Sequence, residues 1–330
     1  MIPLRRLRAT APPLTELSLG CAQLGNLHQA IDDDTARATV EGAWETGVRY
    51  FDTAPHYGLG LSERRLGAAL APCPRAGYVL STKVGRLLEP VPAVAGRDTE
   101  GFAVAATHRR VWDFSRDGVR RSLEDSLQRL GLDRVDIVYL HDPDDHLEQV
   151  LLAGYPALEE LRDEGVVAAI GAGMNQSSML AELAGNTDVD LLMLAGRYTL
   201  LEQRALDDLL PMCEARGIGV VLAGVFNSGL LAREDVPDDA TYDYAPAPAH
   251  VLDRARRIAD VCRRHGTTLP EAAIAFALGH PAVVSVCVGA RSPEQVRRNA
   301  RLLAAKIPGD LWDELRAERL LRAEAPVPSA

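Results

Sequence analysis

Four side chains in this sequence could move a proton on a substrate oxygen if the fold brings them together: Asp52, Tyr57, Lys83 and His141. In FDTAPHYGLGLSERRLGAAL, residues 51–70, an apolar run ends in Asp52 and a loop carries His56 and Tyr57. SERRLGAAL then starts a helix, with Ser62 as its expected N-cap. Lys83 ends the next apolar run, YVLSTK, and His141 ends VDIVYLH. Lys83 and Lys306 are the two lysines among 36 basic residues, so a lysine closing a strand suggests a task that arginine cannot perform. A phenol, with a reference pKa of about 10, needs a nearby cation before it works as a base at neutral pH. Lys83 supplies that cation, Asp52 keeps the amine charged, and His141 offers a second donor to the same oxygen. Singly each has a plainer role: Asp52 as a turn residue, Tyr57 as a packed loop ring, His141 as part of the acidic helix start HDPDDH. Their recurrence at three successive strand ends favours chemistry.

The elements that must position them alternate along the chain. Apolar runs at 17–21, 48–52, 78–83, 135–141, 167–172 and 190–195 are followed by helical patterns at 33–46, 62–70, 115–130, 147–164, 177–184 and 202–216. Runs at 219–223 and 283–288 complete eight strands, with helices at 251–265 and 293–304. Unbroken apolar strands alternating with helices predict a parallel sheet, and eight units predict a (β/α)8 TIM barrel. The expected organisation is a single domain over 1–330: a 1–16 N-terminal segment, long mouth loops at 85–112 and 224–249, and a C-terminal helix and tail at 309–330. A doubly wound sheet would want a GxGxxG turn after the first strand, and LGCAQLGN matches it poorly.

A net charge of -10 and a pI near 5.3 argue against nucleic-acid and anionic-membrane partners and favour a small-molecule ligand. The five cysteines are scattered without zinc-like spacing, so no metal and a cytoplasmic location are expected. MIPLRRLRAT lacks the apolar stretch of a signal peptide. The uncharged stretch 272–290 splits at His280-Pro281 into a helix-like and a β-branched half, hence a buried helix and strand rather than a membrane span. Oligomeric state is left open.

FDTAPHYGLGLSERRLG, STKVG, RVDIVYLHD and VGARSPEQVRRN resemble, in order and spacing, the aldo-keto reductase superfamily over nearly the whole chain. The resemblance implies an Asp52, Tyr57, Lys83 and His141 tetrad with Tyr57 as general acid-base, and NADP or NAD bound at the barrel mouth. It places Gly289, Arg291, Gln295 and Asn299 at the adenosine end, Gly224, Phe226 and Ser228 over the pyrophosphate, and Asn175 at the carboxamide. Ala223 stands where many relatives stack an aromatic ring on the nicotinamide, with Phe226 as a substitute from the loop. Within the superfamily, AQLGNL, AGRYTLLEQ and the YDYAPAPA loop look most similar to members that oxidise the anomeric carbon of an aldose, of the L-fucose or D-threo type, to a lactone. Oxidation of pyridoxal, or general aldehyde and ketone reduction, is the alternative. Gln23, His56, Asp142, Tyr242 and Tyr244 are the expected polar contacts to substrate. A different class, a lyase forming a Schiff base on Lys83, is disfavoured by Asp52, which holds the amine protonated.

Overall fold

The computed structural model describes residues 1–92, 96–243 and 245–328. Eight parallel strands close into a barrel: β1 (Leu17–Gly20), β2 (Tyr50–Asp52), β3 (Val79–Val84), β4 (Ile137–His141), β5 (Ala169–Met174), β6 (Leu191–Ala195), β7 (Gly219–Ala223) and β8 (Val283–Gly289). They follow one another around the barrel in chain order, and β8 pairs with β1. β4 and β5 are buried along their whole length, which is why they read as continuous apolar runs.

Helices α1 (Asp33–Thr46), α2 (Leu61–Leu70), α3 (Arg116–Leu130), α4 (Tyr155–Asp163), α5 (Ser177–Asn186), α6 (Leu209–Arg216), α7 (Ala249–Arg264), α8 (Leu269–Leu278), α9 (Pro293–Leu303) and α10 (Gly309–Ala317) pack outside. Local chemistry sets several ends: Asp32 and Ser115 cap α1 and α3, and Thr268 with Glu271 forms a capping box on α8. The stretch 272–290 resolves into parts of α8 and β8, and among the described residues no helix is long and apolar enough to cross a membrane.

The structure departs from the sequence reading in four places. Ser62 does not cap α2; Gly60, at φ +80°, does, and the Ser62 hydroxyl instead donates 2.7 Å to the Cys21 carbonyl. The helix expected over 202–216 starts late, because Arg204–Leu206 is a 3-10 turn and Asp208 caps α6. A π-helical segment, Val150–Gly154, precedes α4. Three antiparallel pairs among the described residues went unseen, one of them the short Thr241–Tyr242 with Ala245–Pro246 in the loop after the seventh strand. Leu4–Arg5 with Leu14–Thr15 puts Ala11 and Leu14 into the cluster that fills the barrel interior, plugging its floor. Arg86–Pro90 with His108–Trp112 makes the long loop after β3 a hairpin.

The inner cluster includes Tyr50, Ile137, Tyr139, Leu191, Met193 and Val284; a second, larger cluster fills the space between strands and helices. At the C-terminal end, Leu311, Trp312 and Leu315 bury one face of α10, and α10 packs along α7.

Candidate active site

Neighbouring strand register gathers the four groups. Gly20 pairs with Asp52, Asp52 with Ser81, Lys83 with Tyr139 and His141 with Gly173, so β2, β3 and β4 deliver Asp52, Lys83 and His141 to one sector of the C-terminal mouth. Tyr57 arrives on a loop pinned from below. A Cβ on Gly58 would lie 2.2 Å from the Gly25 carbonyl oxygen, and Gly58 has φ +64°, so only glycine allows this approach to the turn after β1. The Thr53 hydroxyl, 2.9 Å from Ser62, closes the same loop.

Lys83 Nζ donates to Asp52 Oδ2 at 2.6 Å, to the Thr53 carbonyl at 3.0 Å and to the Tyr57 hydroxyl at 3.1 Å. Asp52 and Lys83 are each 2 % exposed, so their attraction acts with little screening. Burial opposes the Lys83 charge, but Asp52 and Tyr57 outweigh it and hold its pKa above the ordinary lysine range. Burial also dominates at Tyr57: Lys83 pulls the phenol down, yet its pKa stands above the ordinary value. The resting hydroxyl therefore keeps its proton at neutral pH, where residue type alone pointed to a lysine-supported phenolate.

His141 is neutral, because burial and then Arg86 and Lys83 push its pKa well below the usual histidine range. Its ring lies edge-on to Tyr57 at 6.0 Å and to His56 at 5.5 Å. His56 is pushed down to about 2 by burial, Arg86, Arg110 and Lys83. Arg86 Nη1 stands 3.4 Å from His56 Nδ1. A guanidinium only donates, so His56 Nδ1 accepts and the ring proton sits on Nε2. Asp142 takes a left-handed backbone, φ +41°, with its N–H on the Gly173 carbonyl and its carboxylate paired with Arg86. Burial raises the Asp142 pKa, and Arg86 offsets part of that.

Sequence reasoning missed Arg86, Arg110 and Trp112, all carried by the hairpin after β3. The Arg86 guanidinium lies 4.2 Å from the centre of the Trp112 ring, while Arg110 bonds Asp98 and donates 3.1 Å to the His56 carbonyl. The signal that was available was position: Arg86 follows Lys83 by three residues, in STKVGR. A cleft of ≈ 140 Å³ opens beside the cluster, lined by Arg86, Trp112, Asp142, Asp144, Asn175 and Gln176 among others.

The other expected contacts are spread around the mouth. Gln23 lies against Gly289, where its amide occupies the place a Cβ would take, 2.4 Å away. Gly224 and Ser228 are exposed and left-handed on the loop after β7, at φ +62° and +57°. Phe226, on the same loop, packs partly against the outer core. Arg291 bonds Gln29 through its guanidinium and donates its backbone N–H to the Gln295 side-chain oxygen. Asn299 is buried against Leu17, Ser18 and Val288 among other residues. Tyr242 is not brought to the tetrad's polar atoms: its hydroxyl donates 2.8 Å to Glu202 on the loop after β6. Tyr244 lies outside the described residues. Among the described residues, no group of three or more His, Cys, Asp or Glu side chains is arranged to hold a metal ion.

A protonated phenol, a buried ammonium, a carboxylate and a neutral imidazole at the mouth of a (β/α)8 barrel are the equipment of an enzyme acting on a carbinol or carbonyl oxygen. A model of the Aldo/keto reductase family matches residues 16–318, and the chain belongs to that family, as an NAD(P)-dependent oxidoreductase. It is 50% identical over 309 residues to the D-threo-aldose 1-dehydrogenase of a Pseudomonas species, covering 92% of this chain and 94% of that one. It is 39% identical to pyridoxal 4-dehydrogenase of Microbacterium luteolum, over 96% of this chain and 97% of that one. Among solved structures, the holo form of an aldo-keto reductase from Bacillus halodurans superposes with a TM-score of 0.76 at 27% identity, covering 98% of both chains.

The mouth fits a dinucleotide. Gln23 Oε1 and Asn227 Oδ1 are buried there with no hydrogen-bond partner among the described residues, and an extended polar ligand would satisfy them.

Proposed function

We propose that this enzyme oxidises the anomeric carbon of an aldose to a lactone, with Tyr57 exchanging the proton of the C1 hydroxyl. The observation that carries the reading is the Tyr57 hydroxyl held 3.1 Å from a Lys83 ammonium that Asp52 already fixes. The identity to a D-threo-aldose 1-dehydrogenase over most of both chains supports the substrate class.

A bound oxidised nicotinamide would supply the hydride acceptor for C1 and a further positive charge. Tyr57 takes the hydroxyl proton, and Lys83 stabilises the phenolate needed for that step. Neutral His141 donates an N–H to the same oxygen, orienting C1 without competing for the proton. Asn175, Gly224, Phe226, Ser228, Gly289, Arg291, Gln295, Asn299 and Gln23 are proposed to hold the dinucleotide. The cleft beside Arg86 takes the sugar: Trp112 offers a ring face, and the Arg86–Asp142 pair and the Nε2–H of His56 offer polar partners for hydroxyls. Lys83 is a poor Schiff-base nucleophile, since its amine is charged and occupied by three acceptors. The five free cysteines support a reducing, cytoplasmic location.

The test is a panel of aldoses and pyridoxal with NAD and with NADP, following reduced-cofactor absorbance. Aldose-dependent reduction is expected. Turnover of pyridoxal above every aldose would replace the sugar reading, and a borohydride-trapped adduct on Lys83 would replace the redox one.

A further inference from the structure

On each of the three strands that end in a catalytic-type residue, a hydroxyl side chain stands two positions earlier: Tyr50 before Asp52, Ser81 before Lys83, Tyr139 before His141. Alternation along a strand sends positions i and i−2 to the same side, so these hydroxyls form a layer inside the barrel directly beneath the mouth. They are in contact. Ser81 Oγ donates to Asp52 Oδ1 at 2.7 Å, Tyr50 and Ser81 hydroxyls are 3.0 Å apart, and those of Tyr50 and Tyr139 are 3.2 Å apart. Tyr50, Ser81 and Tyr139 have no measurable exposure to solvent.

The direction of this chain follows from proton counting. A carboxylate accepts only, so the single proton of Ser81 lies on Asp52; Tyr50 must then donate to Ser81, and Tyr139 to Tyr50. All three O–H dipoles therefore point toward the carboxylate, in a dry interior where such dipoles act strongly. Burial holds both phenols above their ordinary range, which keeps them as donors at working pH.

We propose that Ser81, Tyr50 and Tyr139 are positioning residues: a one-way hydroxyl chain that fixes Asp52 with Oδ1 occupied and Oδ2 presented to Lys83, and so sets where the ammonium stands relative to Tyr57. The chain also screens the Asp52 charge from Tyr57. Without it, more of that negative charge reaches the phenol and its proton is held more tightly. The kinetic part of this inference rests on the proton-carrying role proposed for Tyr57; the structural part does not.

The sequence offers a clean probe, since Lys83 shares the chain with one other lysine, the exposed Lys306. Carbon-13 labelling at lysine Cε gives two signals from the full-length protein, and Lys83→Met assigns them. Ser81→Ala and Tyr50→Phe are expected to move the Lys83 signal, Tyr139→Phe to move it less, and none to move Lys306. Tyr198→Phe, which removes a buried hydroxyl far from this network, is the control and is expected to leave both signals in place. The pH profile of kcat/KM for oxidation is expected to shift alkaline in Tyr50→Phe by about one unit, a roughly tenfold loss at neutral pH recovered at higher pH.

The tyrosine variants keep their rings, and unchanged melting temperatures will show that they fold. An unmoved Lys83 signal in both Ser81→Ala and Tyr50→Phe overturns the inference. A moved signal with an unchanged pH profile keeps the positioning role and removes Tyr57 as the proton carrier.

Discussion

Lys83 donates to the Tyr57 hydroxyl across 3.1 Å while its ammonium is anchored 2.6 Å from Asp52, so one buried cation links the phenol to a fixed counter-ion. Two effects of that link oppose each other at Tyr57. Burial holds the proton on, and Lys83 makes its removal easier. A group in that balance gives up its proton only once further positive charge enters the site.

Tyr57→Phe is expected to lower kcat by about 10²- to 10⁴-fold, the usual span for a positioned general acid-base. Dinucleotide affinity, followed by quenching of protein fluorescence, should change little. Lys83→Arg should be no more active than Lys83→Met. Asp52, the Thr53 carbonyl and Tyr57 surround a point charge, and a planar fork cannot reach all three. Near-native kcat in either Tyr57→Phe or Lys83→Arg would remove this mechanism.

Two neutral histidines, His141 buried and His56 half-buried, make the protein sensitive to acid. His56 is depressed to about 2 and His141 lies well below its ordinary value of 6.5, so the unfolded chain binds more protons than the folded one below that value. Stability present above pH 6.5 is thus lost as pH falls, at a limiting slope of about 1.4 kcal/mol per pH unit for each histidine. Melting temperature measured from pH 7.5 down to 4.5 should show the decline, and His56→Gln should flatten it. An identical slope in the variant would mean that His56 is not the sensor.

Arg86 joins three elements of the cleft proposed for the sugar: Asp142 after β4, His56 after β2 and Trp112 on its own hairpin. Arg86→Ala leaves the half-buried Asp142 carboxylate without its guanidinium partner, so kcat/KM for the aldose should fall by about tenfold or more, mainly through KM. Arg86→Lys should recover little, because a single ammonium cannot bond Asp142 while stacking on Trp112. Full recovery by lysine would reduce the role of Arg86 to its charge.

Gly67 lets α2 meet the end of α3. A Cβ there would lie 1.8 Å from the Leu130 carbonyl oxygen, a backbone atom that cannot turn away. Gly67→Ala is therefore expected to cost about 3 kcal/mol. Urea unfolding midpoints compare the two proteins, and equal midpoints would show that the helices separate at little cost.

Much of this enzyme was legible in its residues. Strands buried on both faces are apolar throughout, so eight of them could be counted, and Asp52, Lys83 and His141 stand at strand ends where polarity returns. Other features left no local trace. The floor plug rests on two-residue strands, and the hairpin after β3 is too polar to read as part of a core. Ser62 has the residue type of a helix cap but the tertiary role of a clasp on Cys21.

By itself the sequence determined the barrel and which chemical groups stand at its strand ends, because both follow from local periodicity. Tertiary structure alone decided the partners and the charge states. Lys83 meets Asp52 across 31 positions, Arg86 meets Asp142 across 56, and Tyr139 meets Tyr50 across 89. Such contacts exist only once the sheet has closed in register; Asp52 then keeps Lys83 charged against burial, and burial leaves both Tyr57 and His141 neutral.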